Sequence, residues 1–271
     1  MSAVIDTLVA DLAAEQAELA DFLSRQDVAA WEAPTPAVGW SVRDQVAHLA
    51  HFDAMTRLSI ASPEEFVRFR DALPDLQTYV DGIGPANAHR SPAEMLQWWR
   101  DEAETVVAAA VAADPKARVP WFGPSMSLAS KLTARLMETW AHGQDVYDAL
   151  GATRRPTDRL RHVARIGVLA FPNSFRTRGL PVPDVPVLVD LAAPDGSTRW
   201  SWGDPAARDV VRGPALDFCL VVTQRRHPDD VDLEVRGEVA EQWMAVAQAF
   251  AGPAGAGRLP GQFPVEAEAG K

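Results

Sequence analysis

Met137-Glu138-Thr139-Trp140-Ala141-His142-Gly143-Gln144-Asp145 is the stretch that decides how this chain is read. A carboxylate and an imidazole four residues apart on a helix lie one above the other on the same face. That is the spacing at which two side chains can grip one metal ion. The pair is common in helices and gains meaning from a second stretch, Trp40-Ser41-Val42-Arg43-Asp44-Gln45-Val46-Ala47-His48-Leu49-Ala50-His51. It opens a helix and carries further imidazoles about two turns in. Two histidines and a carboxylate from facing helices make a three-ligand site with room for a substrate.

Helical phase sorts the candidates. At about 100° per residue, Val42, Val46, Leu49, Phe52 and Thr56 form the inward side of the earlier helix. His48 lies at the margin of that stripe, whereas His51 turns toward solvent and is expected at the surface. On the later helix Leu132, Leu136, Val146 and Leu150 face the core. Glu138, His142 and Asp145 share an arc of about 60° beside them, where residues lining a cleft belong. His48, Glu138 and His142 are therefore the candidate metal ligands, with Asp145 placed to orient a ligand or move a proton. Spacing alone leaves a second account open, a structural polar cluster in which Glu138 pairs with Arg135 or Arg43 as a solvated salt bridge.

The remaining chemistry-bearing residues read more plainly. His89, His162 and His227 sit in loop-like or basic surroundings and are expected at the surface. Arg225-Arg226-His227 reads as a solvated turn that could also bind a carboxylate. Cys219 lies in an apolar run and reads as inert core. The glycines match neither a phosphate-binding loop nor a dinucleotide fingerprint, and no serine has a nucleophile elbow around it.

Outward from these motifs, residues 3–25 carry Val4, Leu8, Leu12, Leu19 and Leu23 at mostly helical spacing. A Pro- and Gly-bearing loop over 33–39 precedes the capping box of Ser41 and Asp44, with Trp40 placed as a hydrophobic staple. The helix it opens should run to about Ile60, and Ser62-Pro63 restarts a shorter one. Gly82-Ile83-Gly84-Pro85 reads as a loop. Ser91-Pro92-Ala93-Glu94 is a strong helix start, and that helix should stop before Pro115. Another loop over 120–124 precedes the helix from Ser127 to Leu150, and a last one covers Leu160 to Leu169. Pro181, Pro183 and Pro186 then space a stiff linker. Beyond it, 186–191 and 198–202 flank a turn as a hairpin, Val231, Leu233 and Val235 alternate as a strand, and short helices follow Gly213-Pro214 and span Glu241 to Phe250. The expected fold is an all-helical N-terminal domain over 1–178, a small α+β domain over 182–251 and a flexible tail over 252–271.

Composition narrows the function classes. The chain of 271 residues is 47% hydrophobic and 23% charged, as in a globular protein, and its formal net charge of −11 argues against nucleic acid or an anionic membrane as partner. With Cys219 as the only cysteine no intrachain disulfide can form, which suits a reducing cytoplasm. No secretory signal opens the chain and no uncharged apolar stretch is long enough to span a bilayer. A soluble cytoplasmic protein acting on a small molecule is expected.

The segments Trp40 to Ala50 and Arg135 to Asp145 together resemble the DinB-like superfamily, and within it the mycothiol-dependent maleylpyruvate isomerase group of actinobacteria. The resemblance implies a four-helix bundle that binds a divalent metal, usually Zn²⁺, followed by a small C-terminal α+β domain. The family's ligands fall on His48, Glu138 and His142, and a following functional aspartate falls on Asp145. A C-terminal arginine that helps bind the thiol falls on Arg225 or, alternatively, Arg226. His51 and Asp53 stand where the isomerase usually has Arg-Asn-Ala, so the chain looks closer to a side branch of metal-binding relatives. The implied function is an isomerase or S-transferase that uses mycothiol, a low-molecular-weight thiol, on a small electrophilic substrate. Its rivals are a non-catalytic metal-binding accessory protein and a zinc hydrolase using bound water. Non-haem Fe(II) suits the same ligand set, and a homodimer is compatible with the reading.

Overall fold

Ser41 and Asp44 form the expected capping box: the Ser41 backbone N–H donates to Asp44 at 2.8 Å and the Asp44 N–H donates to Ser41 Oγ at 3.3 Å. The same device, built from Ser91 and Glu94 with Pro92 at the first helical position, opens a second long helix. The computed structural model describes residues 3–263, and the chain divides between Arg154 and Arg155 into two compact units.

In the first unit, α1 (Ala3–Ser24) and α2 (Val42–Ala61) are followed by the short helices α3 (Pro63–Asp71), α4 (Leu76–Asp81) and α5 (Ile83–Asn87). Next come α6 (Pro92–Ala112), a two-stranded hairpin of β1 (Arg118–Val119) and β2 (Met126–Ser127), and α7 (Leu128–Ala149). Helices α1 and α2 each pack against both α6 and α7. On α1 the inward row runs through Ile5, Leu8, Leu12, Leu19 and Leu23, while Val4, expected inside, is 56% exposed. The gap in that row is filled by polar groups. Glu15 pairs with Arg154, and Gln16 donates to Asp53 at 3.0 Å. Asp53 also accepts from Trp99 Nε1 at 3.0 Å and from Arg135 Nε at 2.7 Å, so this buried carboxylate ties one residue from each of the four long helices. The segment expected as a loop at 82–85 is instead the start of α5, because Ile83 finds a buried seat and draws the chain into a helical turn.

In the second unit, α8 (Leu160–Leu169) matches its expected bounds, and α9 (Phe171–Thr177) follows it. The strands β3 (Val187–Ala192), β4 (Arg199–Trp202) and β5 (Asp209–Pro214), the helix α10 (Ala215–Val222), the strand β6 (Glu234–Arg236) and the helix α11 (Glu238–Val246) complete it. The sheet order is β4-β3-β5-β6, with β3 and β5 parallel and both other pairs antiparallel. Two boundaries differ from expectation. Helices α8 and α9 belong to this unit and not to the all-helical one, since α8 packs on α10: Cys219 Sγ lies 3.5 Å from Leu160 O, and Gly167 lies so close to Val222 that a Cβ there would fall 2.7 Å from it. The tail expected to be flexible from 252 is tied down as far as Phe263. Gln248 accepts from Gly255 N–H at 2.9 Å, Asp230 accepts from Gly261 N–H at 2.7 Å, and the Arg226 guanidinium sits 4.1 Å from the centre of the Phe263 ring. Residues 264–271 lie outside the described residues. Among the described residues, no helix is long and apolar enough to cross a membrane.

Candidate metal centre

Helix α2 carries His48 and helix α7 carries Glu138 and His142, and the packing of α2 on α7 brings the three together. One ligand atom from each lies within 4.8 Å of the other two. Glu138 Oε2 is 3.2 Å from His142 Nε2 and 3.8 Å from His48 Nε2, and the two imidazole centres are 4.3 Å apart. Ligand bonds of about 2.0–2.2 Å at tetrahedral angles set neighbouring ligand atoms roughly 3.3–3.5 Å apart. The observed pair of distances brackets that span.

The electrostatics agree with a cation site. Burial, and then the neighbouring His142, push the His48 pKa from 6.5 down to about 3, so its imidazole is neutral and a lone pair is available. Burial would raise the Glu138 pKa, but the two imidazoles beside it outweigh that and hold the carboxyl well below its usual range. His48 Nδ1 is buried without a hydrogen-bond partner, which leaves Nε2 as the nitrogen that faces Glu138. Two neutral-capable imidazoles and one carboxylate are a donor set that suits Zn²⁺ or another divalent ion, so the residues fit the group. The side chains are 11%, 28% and 13% exposed for His48, Glu138 and His142, enough to leave one side of the trio open.

Aromatic rings enclose the trio. Trp40, expected as a staple of the helix turn, stacks on His142 at 5.9 Å and leans on His48 at 5.2 Å, while Phe52 packs on His48 at 4.5 Å. A cleft of about 370 Å³ reaches His48 from the N-terminal end of α2, lined also by Trp40, Arg43, Asp44 and Asp81.

Other expectations fare differently. Neither Arg135 nor Arg43 pairs with Glu138, because Asp53 holds Arg135, and Glu32 and the Arg90 carbonyl hold Arg43. Asp145 does not line the cleft. It is fully buried and stands apart from the three converging ligand atoms, because the core stripe of α7 is wider than the apolar residues alone suggest. His51 is half-buried where a surface position was expected. Its ring bonds to the Tyr79 hydroxyl of α4, and burial lowers its pKa to about 4. In the second unit, Arg225 donates to Thr223 O at 2.7 Å and Arg226 donates to Arg225 O at 2.8 Å, and both are half-buried. Cys219 is buried, as its apolar run implies.

Sequence reading missed Gln45, whose Oε1 lies 2.6 Å from His142 Nδ1, and Thr35, which bonds Gln45 in turn. It also missed Lys131, buried on α7 with its amine over the Trp121 ring, where burial and then Arg135 push its pKa well down. Gln45 stands three residues before His48 on one helical face, so its position was legible, but its partner is 97 residues away.

A helical unit whose facing helices present two histidines and a glutamate offers a candidate metal-ligand set, and similarity to known proteins gives the family. Residues 12–147, half of the chain, match the model of the mycothiol maleylpyruvate isomerase N-terminal domain, and the chain belongs to that family. Uncharacterized proteins from two strains of Mycobacterium tuberculosis are each 42% identical over 251 residues, covering 92% of this chain and 97% of theirs. Among solved structures, a histidine-to-alanine mutant of mycothiol-dependent maleylpyruvate isomerase is similar with a TM-score of 0.60 at 16% identity, covering 85% of this chain and 92% of that one. Another structure of the isomerase gives 0.55, also at 16% identity, covering 82% and 90%. At that identity the likeness speaks to the fold.

Proposed function

We propose that this protein is a cytoplasmic, metal-dependent enzyme that uses a low-molecular-weight thiol of the mycothiol type in an isomerase or S-transferase reaction on a small electrophile. In this reading α1, α2, α6 and α7 are a DinB-like bundle and the second unit is the family's C-terminal α+β domain. The observation that carries it is the convergence of His48, Glu138 and His142 within 4.8 Å, beside a cleft that reaches His48. These three side chains would hold the ion, most simply Zn²⁺. A bound divalent ion supplies Lewis acidity, which lowers the pKa of an arriving thiol into the physiological range. Trp40 and Phe52 exclude water from the imidazoles. The cleft lined by Trp40 and Arg43 receives the electrophile. Asp145, being buried, acts by orienting its neighbours on α7. Cys219 is sealed in the core, so the nucleophilic thiol is imported. Arg225, or Arg226 in its place, binds the carboxylate of that thiol, for which a forked guanidinium is better suited than an ammonium.

Turnover of maleylpyruvate and of a generic electrophile by the zinc(II)-loaded protein, with and without mycothiol, tests the proposal. Thiol-dependent turnover that falls at least about tenfold in the Arg225→Ala, Arg226→Ala double variant is expected, the loss typical of one charged ligand contact. Turnover of ester or amide substrates without thiol would make the protein a zinc hydrolase. Stoichiometric metal with no turnover of either kind would make it an accessory protein.

A further inference from the structure

His142 is held from behind by a chain of three hydrogen bonds whose direction is set at its far end. Thr35 Oγ1 lies 2.8 Å from the Trp40 carbonyl oxygen, which has no proton to give. Two oxygens that close require the threonine hydroxyl hydrogen between them. Thr35 therefore presents only a lone pair to Gln45, at 2.8 Å, and the Gln45 atom facing it must be the amide NH₂. That orientation turns Gln45 Oε1 toward His142 Nδ1 at 2.6 Å, and Oε1 can only accept. The His142 Nδ1 consequently carries the hydrogen.

Its Nε2 then faces Glu138 Oε2 at 3.2 Å. In the neutral ring this sets lone pair against carboxylate, an approach that a shared cation makes favourable. Gln45 is fully buried and Thr35 is 8% exposed, so water does not compete for these bonds. We propose that Gln45, oriented by Thr35 and the Trp40 carbonyl, is a positioning residue that selects the Nδ1–H tautomer of His142 and aims its Nε2 at the metal. This inference rests on the metal reading above, though not on any thiol chemistry. Outer partners of metal-bound histidines commonly change affinity by about 10–100-fold.

The test measures zinc(II) affinity by chelator competition and reads the His142 ring nitrogens by ¹⁵N NMR in the zinc(II)-loaded protein. Gln45→Leu should bind zinc(II) about 10–100-fold more weakly. Gln45→Glu, which keeps an acceptor toward Nδ1, should stay within about threefold of the native protein, and Thr35→Val should fall between the two. The native spectrum should show the hydrogen on Nδ1 and the metal on Nε2. Native affinity in both Gln45→Leu and Thr35→Val, or a native spectrum with the hydrogen on Nε2, overturns the role of Gln45. If Gln45→Leu does not fold, Thr35→Val and the native spectrum decide the matter by themselves. A native protein that binds no zinc(II) overturns the metal reading, and this inference with it, and so differs visibly from a failure confined to Gln45.

Discussion

His48 and His51 are one helical turn apart, yet their surroundings assign them different work. His48 points to Glu138 and His142, whereas His51 is engaged by Tyr79, whose hydroxyl pKa burial raises to about 12. Either His48→Ala or His142→Ala removes one of the three proposed ligands and should reduce zinc(II) to well below one per chain, with the helices still folded on their apolar rows. His51→Ala should keep about one zinc(II) per chain, because its ring is not part of the trio. Elemental analysis of the three purified variants checks both halves. Full metal in His48→Ala and His142→Ala would refute the assignment, and loss of metal in His51→Ala would place the site one turn along α2. The phase of α2 was legible in the sequence, since Val42, Val46, Leu49 and Thr56 are all wholly buried. The position of Asp145 was not, because a polar residue on the edge of an apolar stripe gives no sign of how much of the helix its neighbours cover.

At the scale of the elements, Asp53 is the residue on which the four long helices agree. Its oxygens accept from Gln16 of α1, Trp99 of α6 and Arg135 of α7, and Asp53 and Arg135 are 0% and 2% exposed as side chains. Removing one partner of a buried ion pair leaves the other charge uncompensated, at a cost of about 3–5 kcal/mol. Asp53→Ala should therefore lower the unfolding free energy by about that much, and Asp53→Asn, which keeps an acceptor, by less. Urea unfolding measures it, and a change under about 1 kcal/mol in Asp53→Ala would show the network to be incidental. The helix starts at Ser41 and Ser91 could be read directly because a cap is a contact between residues three apart. Strand β5 could not. Val210 and Val211 are both buried and adjacent, since helices α10 and α11 pack against this central strand and a strand covered on its faces loses the period of two.

For the whole molecule, the buried imidazoles couple stability to pH. Unfolded, His48 and His51 titrate near 6.5, and folded, near 3 and 4. Between those values the unfolded chain takes up protons that the folded chain refuses. Their contribution is thus complete above pH 6.5 and is lost as the pH falls toward 4 and below. The metal-free protein should show a melting temperature that declines over that interval, more steeply than His51→Gln does. Parallel pH profiles for the two proteins would show that His51 is not held neutral in the fold.

The sequence by itself determined the long helices, the period that turns His48, Glu138 and His142 to one side, and the hairpin of β3 and β4, whose Ala192 pairs with Arg199 across the expected turn. Each depends on residues a few positions apart, where propensity, capping and periodicity act. The tertiary structure alone decided that α8 packs on α10, that Asp230 and Gln248 hold the segment up to Phe263, and that Thr35 and Gln45 stand behind His142. The pairings of Asp230 with Gly261 and of Gln45 with His142 join residues 31 and 97 positions apart. A buried polar group must find its partner wherever the fold brings one, and no local pattern records which residue that is.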